Sequence, residues 1–117
     1  PARAWPQDLA RRVSADEPQL RYIVQIVHAT RHGGDYLPQE QAHCLEYGAS
    51  PRATIAFVEA ACAHALIHGR DHVIPDDVRA MRYMVLRHRL ILTFEAVATR
   101  VPVEEIIDGI FGAVPTP

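Results

Sequence analysis

Cysteine is scarce. Cys44 and Cys62 are the only two among 117 residues, and their separation suits neither a metal site nor a disulfide framework. Cys62 sits in an alanine-rich apolar stretch and reads as a small buried hydrophobe, which fits a reducing, cytoplasmic compartment. No run approaches the roughly eighteen apolar residues that a membrane span needs, and no signal-like pattern occupies the N-terminus. A basic excess is missing too. Twelve cationic side chains face fourteen carboxylates, a net charge of −2, which argues against electrostatic readout of nucleic acid. The phosphate-cradling pattern G-x-x-x-x-G-K-[ST] does not occur, so the chain is not expected to hold and hydrolyse a nucleotide by itself.

What is present is an ordinary globular balance, 49% apolar and 22% charged, in a length suited to one domain. The first residue is Pro1 rather than Met, and the expectation is a piece of a longer protein. No strand alternation of useful length appears, and the pattern is helical throughout. A short helix is expected over Asp8–Val13, entered from Pro6. A longer one follows over Asp16–Arg31, with Leu20, Ile23, Val24 and Val27 as its inner stripe and Gly33-Gly34 ending it. A loop through Pro38 and a weaker segment, Gln39–Tyr47, lead to the strongest helix. There Ile55, Val58, Cys62, Ala65 and Leu66 form the stripe, Phe57 and Ala61 widen it, and Gly69 lies just past the end. Pro75-Asp76-Asp77 starts another helix with Val78, Met81 and Val85 inward. Leu90-Ile91-Leu92 is too short to assign. After Pro102, Glu104 and Glu105 open a last helix carrying Ile106, Ile107, Ile110 and Phe111, which stops before Pro115. The fold class is all-α, a small bundle of about five helices in a single domain spanning 1–117.

Candidate chemistry is sparse. His28 and His32 are four apart, as are His64 and His68, and His72 follows. Such pairs can share zinc, but neither carries the Glu of H-E-x-x-H and no third ligand is evident. They read as surface or helix-end histidines, and no metal site is expected. Arg79, Arg82, Arg87 and Arg89 fall close together and read as a solvated helix surface. The informative stretch is Gly48–Ala53, GASPRA. Pro51 suits the first helical position and Ser50 reads as the N-cap. Arg52, however, puts a cation where the helix dipole is already positive, at a cost of roughly 0.3–1 kcal/mol unless solvent screens it. A phosphate or carboxylate docked there would reverse that sign, taking the free N–H groups and the guanidinium together.

Four motifs in order, YIVQIVHATR (Tyr22–Arg31), GASPRA (Gly48–Ala53), GRDHVIPDDVRAM (Gly69–Met81) and VLRHRLIL (Val85–Leu92), closely resemble the C-terminal lid domain of MoxR-type AAA+ ATPases. The likeness runs from about Val13 to Pro115. It implies that Arg52 is the second-sensor arginine reaching toward nucleotide phosphates, and that Tyr22 and Ile23 lie where the lid flanks the adenine. It also implies that ATP and Mg2+ are cofactors of the longer protein, with none bound by this piece alone and no catalytic residue within it. The Walker elements, first sensor and arginine finger would belong to a larger nucleotide-binding domain. The implied partners are that domain, neighbouring subunits of a ring (expected to be hexameric) and proteins bearing a von Willebrand factor A-type domain. No nucleic-acid partner is expected. The implied activity is chaperone-like remodelling or activation of partner proteins. One departure stands out: Ile74 occupies a place where the family usually has Thr or Ser, which should cost the next helix roughly 1 kcal/mol, partly offset by Asp76 and Asp77. A magnesium-chelatase-type parent shares this architecture. The alternative from a different class is a stand-alone helical interaction module without a nucleotide role.

Overall fold

The computed structural model describes residues 13–117. The helix expected over Asp8–Val13 therefore falls, apart from Val13, outside the described residues. Those residues form eight helical segments: α1 (Glu17–Arg31), α2 (Gly33–Tyr36), α3 (Gln39–Ala42), α4 (Arg52–Ile67), α5 (Pro75–Ala80), α6 (Arg82–Leu86), α7 (Phe94–Ala98) and α8 (Val103–Ala113). Two short strands, β1 (Leu45–Tyr47) and β2 (Ile91–Leu92), pair antiparallel with an irregular register. The all-α class holds. The count exceeds five because one-turn helices and a split helix fill stretches that periodicity leaves blank.

The core lies between α1, α4 and α8. Tyr22 of α1 meets the Phe111 ring of α8 edge-on at 6.2 Å, and Phe57 of α4 lies 6.3 Å from that ring at 50°. Ile23, Ile26, Ile106, Ile107 and Ile110 are fully buried around them. The last helix thus buries the four residues expected of it.

Two expected stripes are rotated. In α1, Ile23 and Val27 are buried, but Val24 is 53% exposed and Leu20 also faces out, while Tyr22, Ile26, Ala29 and Thr30 turn inward. Apolar residues surround most of this helix, so two overlapping seams satisfy the same period. The aromatic contact to Phe111 selects one. In α4, the deepest positions are Ala53, Phe57, Ala61 and Ala65, spaced by four, with Cys62 beside them. Ile55 is 62% exposed. The alanines outrank the larger residues because a smooth face lets neighbouring helices approach closely.

The helix expected after Pro75 breaks at Met81, whose backbone (φ −96°, ψ 3°) leaves the helical region. Arg82 Nη1 donates to the Arg79 carbonyl at 2.6 Å, satisfying an acceptor near the break. Gly33 and Gly34 do end α1, yet they begin the single turn of α2 rather than a loop. β1 and β2 are a correction to the absence of strands. Leu45 pairs with Leu92, and the Thr93 N–H donates to the Cys44 carbonyl at 2.8 Å. Two- and three-residue strands are too short for alternation to register.

Two helix ends share one geometry with different residues. After α4, Gly69 sits at φ +76°, with its N–H on Leu66 O and the Arg70 N–H on Ala65 O. After α7, Arg100 sits at φ +60°, with its N–H on Val97 O and the Val101 N–H on Ala96 O. Both are Schellman ends, but a side chain in the left-handed region pays a steric cost that glycine avoids. Gly69→Ala should lower stability by about 1 kcal/mol, and Arg100→Gly should raise it by about 0.5 kcal/mol after the entropy of the added glycine. Urea denaturation midpoints of the two variants check both signs.

Candidate functional site

Arg52 is the first residue of α4 and is exposed. Among the described residues its side chain makes no ion pair or hydrogen bond. The first turn of α4 contains no acidic residue, whereas α1 opens with Glu17 and α8 with Glu104 and Glu105. Pro51 is already helical in backbone (φ −56°, ψ −21°), as its ring dictates. The expected Ser50 cap is not made: the helix has no side-chain cap, and Ser50 contributes its carbonyl, which accepts from the Ala53 N–H at 2.9 Å. The cation therefore stands at a dipole-positive end without a side-chain cap, and among the described residues no side chain neutralises it.

The main chain of the preceding loop sets the position of that end. Thr30, in the last turn of α1, is 1% exposed. Its hydroxyl donates to the Val27 carbonyl at 2.7 Å and accepts from the Ala49 N–H at 3.0 Å. Gly48 passes so close that a Cβ on it would lie 2.1 Å from the Thr30 carbonyl oxygen. Backbone rests on backbone there, and only glycine fits. Ala49 and Ala53 are fully buried on either side of the exposed Ser50–Arg52.

The other end of α4 is held by a buried carboxylate. Asp77, in the first turn of α5, is fully buried. Oδ1 accepts from His64 Nδ1 at 2.6 Å and from Arg70, and Oδ2 accepts from the Ile74 N–H at 2.8 Å. Ile74 is the N-cap residue, as expected, and its side chain has no acceptor to offer. Asp77 supplies one half of a capping box, protecting the Ile74 N–H while pairing with His64 and Arg70. Sequence reasoning assigned Asp77 only a place near the helix dipole. The signal available was its position three residues after the cap, which says nothing about His64 or Arg70. Burial by itself raises the Asp77 pKa, but the Ile74 and His64 bonds and the Arg70 charge outweigh it and leave the carboxyl below its ordinary value. Cys62 is pushed up by burial and secondarily by the Asp77 charge, so it remains a thiol, donating to the Val13 carbonyl at 3.7 Å.

The histidine pairs stack on themselves. His28 and His32 rings lie 4.1 Å apart, His64 and His68 rings 4.2 Å apart, and each second ring bonds the carbonyl of the first residue in its pair. Among the described residues, no group of three His, Cys, Asp or Glu converges as a metal site. The arginine cluster is not simply solvated. Arg82 pairs with Asp108 at 3.0 Å, Arg87 with Glu104 at 2.9 Å, and Arg79 donates to Thr116. Both Arg82 and Arg87 also approach the Tyr83 ring. These bonds tie α5 and α6 to α8 and the C-terminal tail.

Tyr22 and Ile23, assigned to the adenine by resemblance, both lie in the core. Ile23 has no exposed surface. Tyr22 forms part of the wall of a cavity of about 390 Å³ between the start of α1 and Pro115–Pro117, and its buried hydroxyl has no hydrogen-bond partner among the described residues.

A family model described as an AAA lid domain matches residues 38–110. The chain belongs to the AAA lid domain family. Chaperone MoxR1 of Mycobacterium tuberculosis is 36% identical to this lid domain over 111 residues, 95% of the chain and 29% of that protein. The uncharacterised protein YeaC of Bacillus subtilis is 39% identical over 107 residues, 92% of the chain and 31% of that protein. A crystal structure assigned as an ATPase, from Cytophaga hutchinsonii, superposes with a TM-score of 0.90 at 34% identity, over 95% of this chain and 34% of that one. The lid domain thus spans about a third of the length of the relatives it matches.

The Asp77 pairing yields a test with a defined sign. A folded-state pKa below the unfolded value near 3.9 contributes stability at higher pH that is lost as pH falls through the folded value. Asp77→Asn should cost roughly 2 kcal/mol near neutral pH, the worth of hydrogen bonds to a charged group. The gap from the unsubstituted domain should begin to narrow as pH falls below about 4 and close once pH passes the folded value, as urea denaturation at a series of pH values would read.

Proposed function

We propose that this lid domain serves a MoxR-type AAA+ ATPase and that Arg52 acts as its second sensor, contacting the phosphates of ATP bound mainly by a separate nucleotide-binding domain. The carrying observation is the exposed Arg52 guanidinium at an uncapped helix start with no acid in its first turn. An anionic phosphate suits that arrangement through the positive end of the dipole and a planar fork of donors. The chain contains no lysine at all, so the phosphate-cradling lysine of a P-loop must come from elsewhere in the assembled enzyme. In this reading ATP and Mg2+ are cofactors of the longer protein. Of the two residues assigned to the adenine, Tyr22 is the one bordering a cavity.

A contact that strengthens or vanishes with the γ-phosphate couples the nucleotide state to lid position. In this reading the lid transmits that motion to its own nucleotide-binding domain and to neighbouring subunits of a ring. The work performed is chaperone-like remodelling of partner proteins, including those with von Willebrand factor A-type domains. Exposed Phe94, Val97, Tyr47 and Ile91 supply apolar surface for such contacts. Among the described residues no helix is long and apolar enough to cross a membrane. The free thiols of Cys44 and Cys62 suit a cytoplasmic setting. The same apolar surface would serve a stand-alone interaction module, in which Arg52 has no nucleotide role.

Arg52→Ala in the full-length protein should reduce ATP turnover by at least about tenfold, within the range that loss of a transition-state-stabilising arginine produces. The far-ultraviolet circular dichroism and melting temperature should stay unchanged, because the side chain is exposed. Unaltered steady-state turnover would sink the assignment and favour the interaction module.

A further inference from the structure

The loop from α1 to the start of α4 places Arg52 without a side-chain cap, and one buried hydroxyl of α1 holds the main chain just before the helix begins. We propose that Thr30 is a positioning residue for Arg52, holding the Gly48–Ala49 main chain against the last turn of α1 so that the guanidinium projects from one fixed point. The proposal rests on the reading of Arg52 as a phosphate contact and extends it to a residue that touches no nucleotide.

The geometry at Thr30 has little slack. Its single hydroxyl proton is committed to the Val27 carbonyl at 2.7 Å, so toward Ala49 the oxygen can act only as acceptor, and it does so at 3.0 Å. Gly48 admits no Cβ against the Thr30 carbonyl, so the loop touches α1 at two successive residues. Ala49 stands three residues before Arg52, and the Pro51 ring restricts the backbone between them. Ala53 is fully buried immediately after Arg52. The arginine is therefore an exposed point between two anchored ones.

A buried threonine bonding a backbone N–H could also serve stability alone, without affecting catalysis. The two roles differ in what else must be intact. Displacing a catalytic contact by about 1 Å can cost on the order of 100-fold in rate, whereas a purely structural loss lowers the amount of folded enzyme and acts independently of Arg52.

The test is a double-mutant cycle in the full-length ATPase, with ATP turnover as the readout and folding followed by circular dichroism. Thr30→Val keeps the shape and removes the acceptor. It should lower kcat about tenfold with a smaller change in KM for ATP, and amide hydrogen exchange should show the Ala49 N–H losing protection. Thr30→Ser restores the hydroxyl and should return kcat to within about twofold of the unsubstituted enzyme. Thr30→Cys, with a much weaker acceptor in a side chain of similar size, should fall between them and provides the graded case if the valine is not accommodated. In an Arg52→Ala background, Thr30→Val should change turnover by less than about twofold. Full turnover in Thr30→Val alongside an impaired Arg52→Ala enzyme would overturn the positioning role while leaving the Arg52 reading intact. An equal loss with and without Arg52 would overturn it as well, showing a general folding role. Full turnover in Arg52→Ala would remove the reading on which the proposal stands.

Discussion

Backbone packed on backbone, where Gly48 and Ala49 cross the last turn of α1, relates the two longest helices of this domain to each other. Two motifs that are far apart in sequence, one ending near Thr30 and one beginning at Gly48, meet there as the two halves of one contact. Glycine is required because the Thr30 carbonyl occupies the space of a Cβ. Threonine supplies a hydroxyl that can serve its own helix and the loop together. Alanine at 49 and 53 lets the start of α4 sink into the core while Arg52 stays in solvent. Exposure and direction at the start of the helix follow from that seat.

The far end of α4 is fixed by different physics. A Schellman turn at Gly69 reverses the chain, and Asp77 gathers His64 from the helix, Arg70 from the turn and the Ile74 N–H from the next segment. A fully buried carboxylate is tolerable only with that many donors, since desolvation would otherwise drive it to protonate. Asp77 also explains how α5 starts well without a Thr or Ser at the cap: the acceptor comes from three residues further on. Between these ends the Phe57, Phe111 and Tyr22 rings join α4 to α8 and α1. Loading α4 at both ends fixes the helix along its whole length.

Much of this was legible in the residues. Pro51 and Pro75 mark helix starts, Gly69 marks an end, and the 106, 107, 110, 111 pattern of α8 appears as expected. These signals are local, set by one ring, one missing Cβ or one amphipathic repeat. The seams of α1 and α4 were less legible, since apolar residues surround both helices and period alone admits more than one inward face. The β1–β2 pair, the break at Met81 and the Asp77 cluster left no usable local mark. Each depends on a partner more than ten residues away or on a dihedral that no residue type compels. Arg52 stands out because it contradicts the dipole rule, and in the structure it is exposed. Ser50 is not the cap: Pro51 already has helical backbone and Ser50 contributes only its carbonyl, to the Ala53 N–H.

By itself, then, the sequence determined an all-α lid domain, where its principal helices begin and end, and that a lone cation opens α4. Those properties arise from backbone preferences and from short-range periodicity, which a linear pattern records. Tertiary structure decided which faces turn inward, which arginines are tied to α8, and where α4 is aimed. Those outcomes depend on through-space contacts such as Thr30 with Ala49 and His64 with Asp77, formed between segments whose proximity the local pattern does not encode.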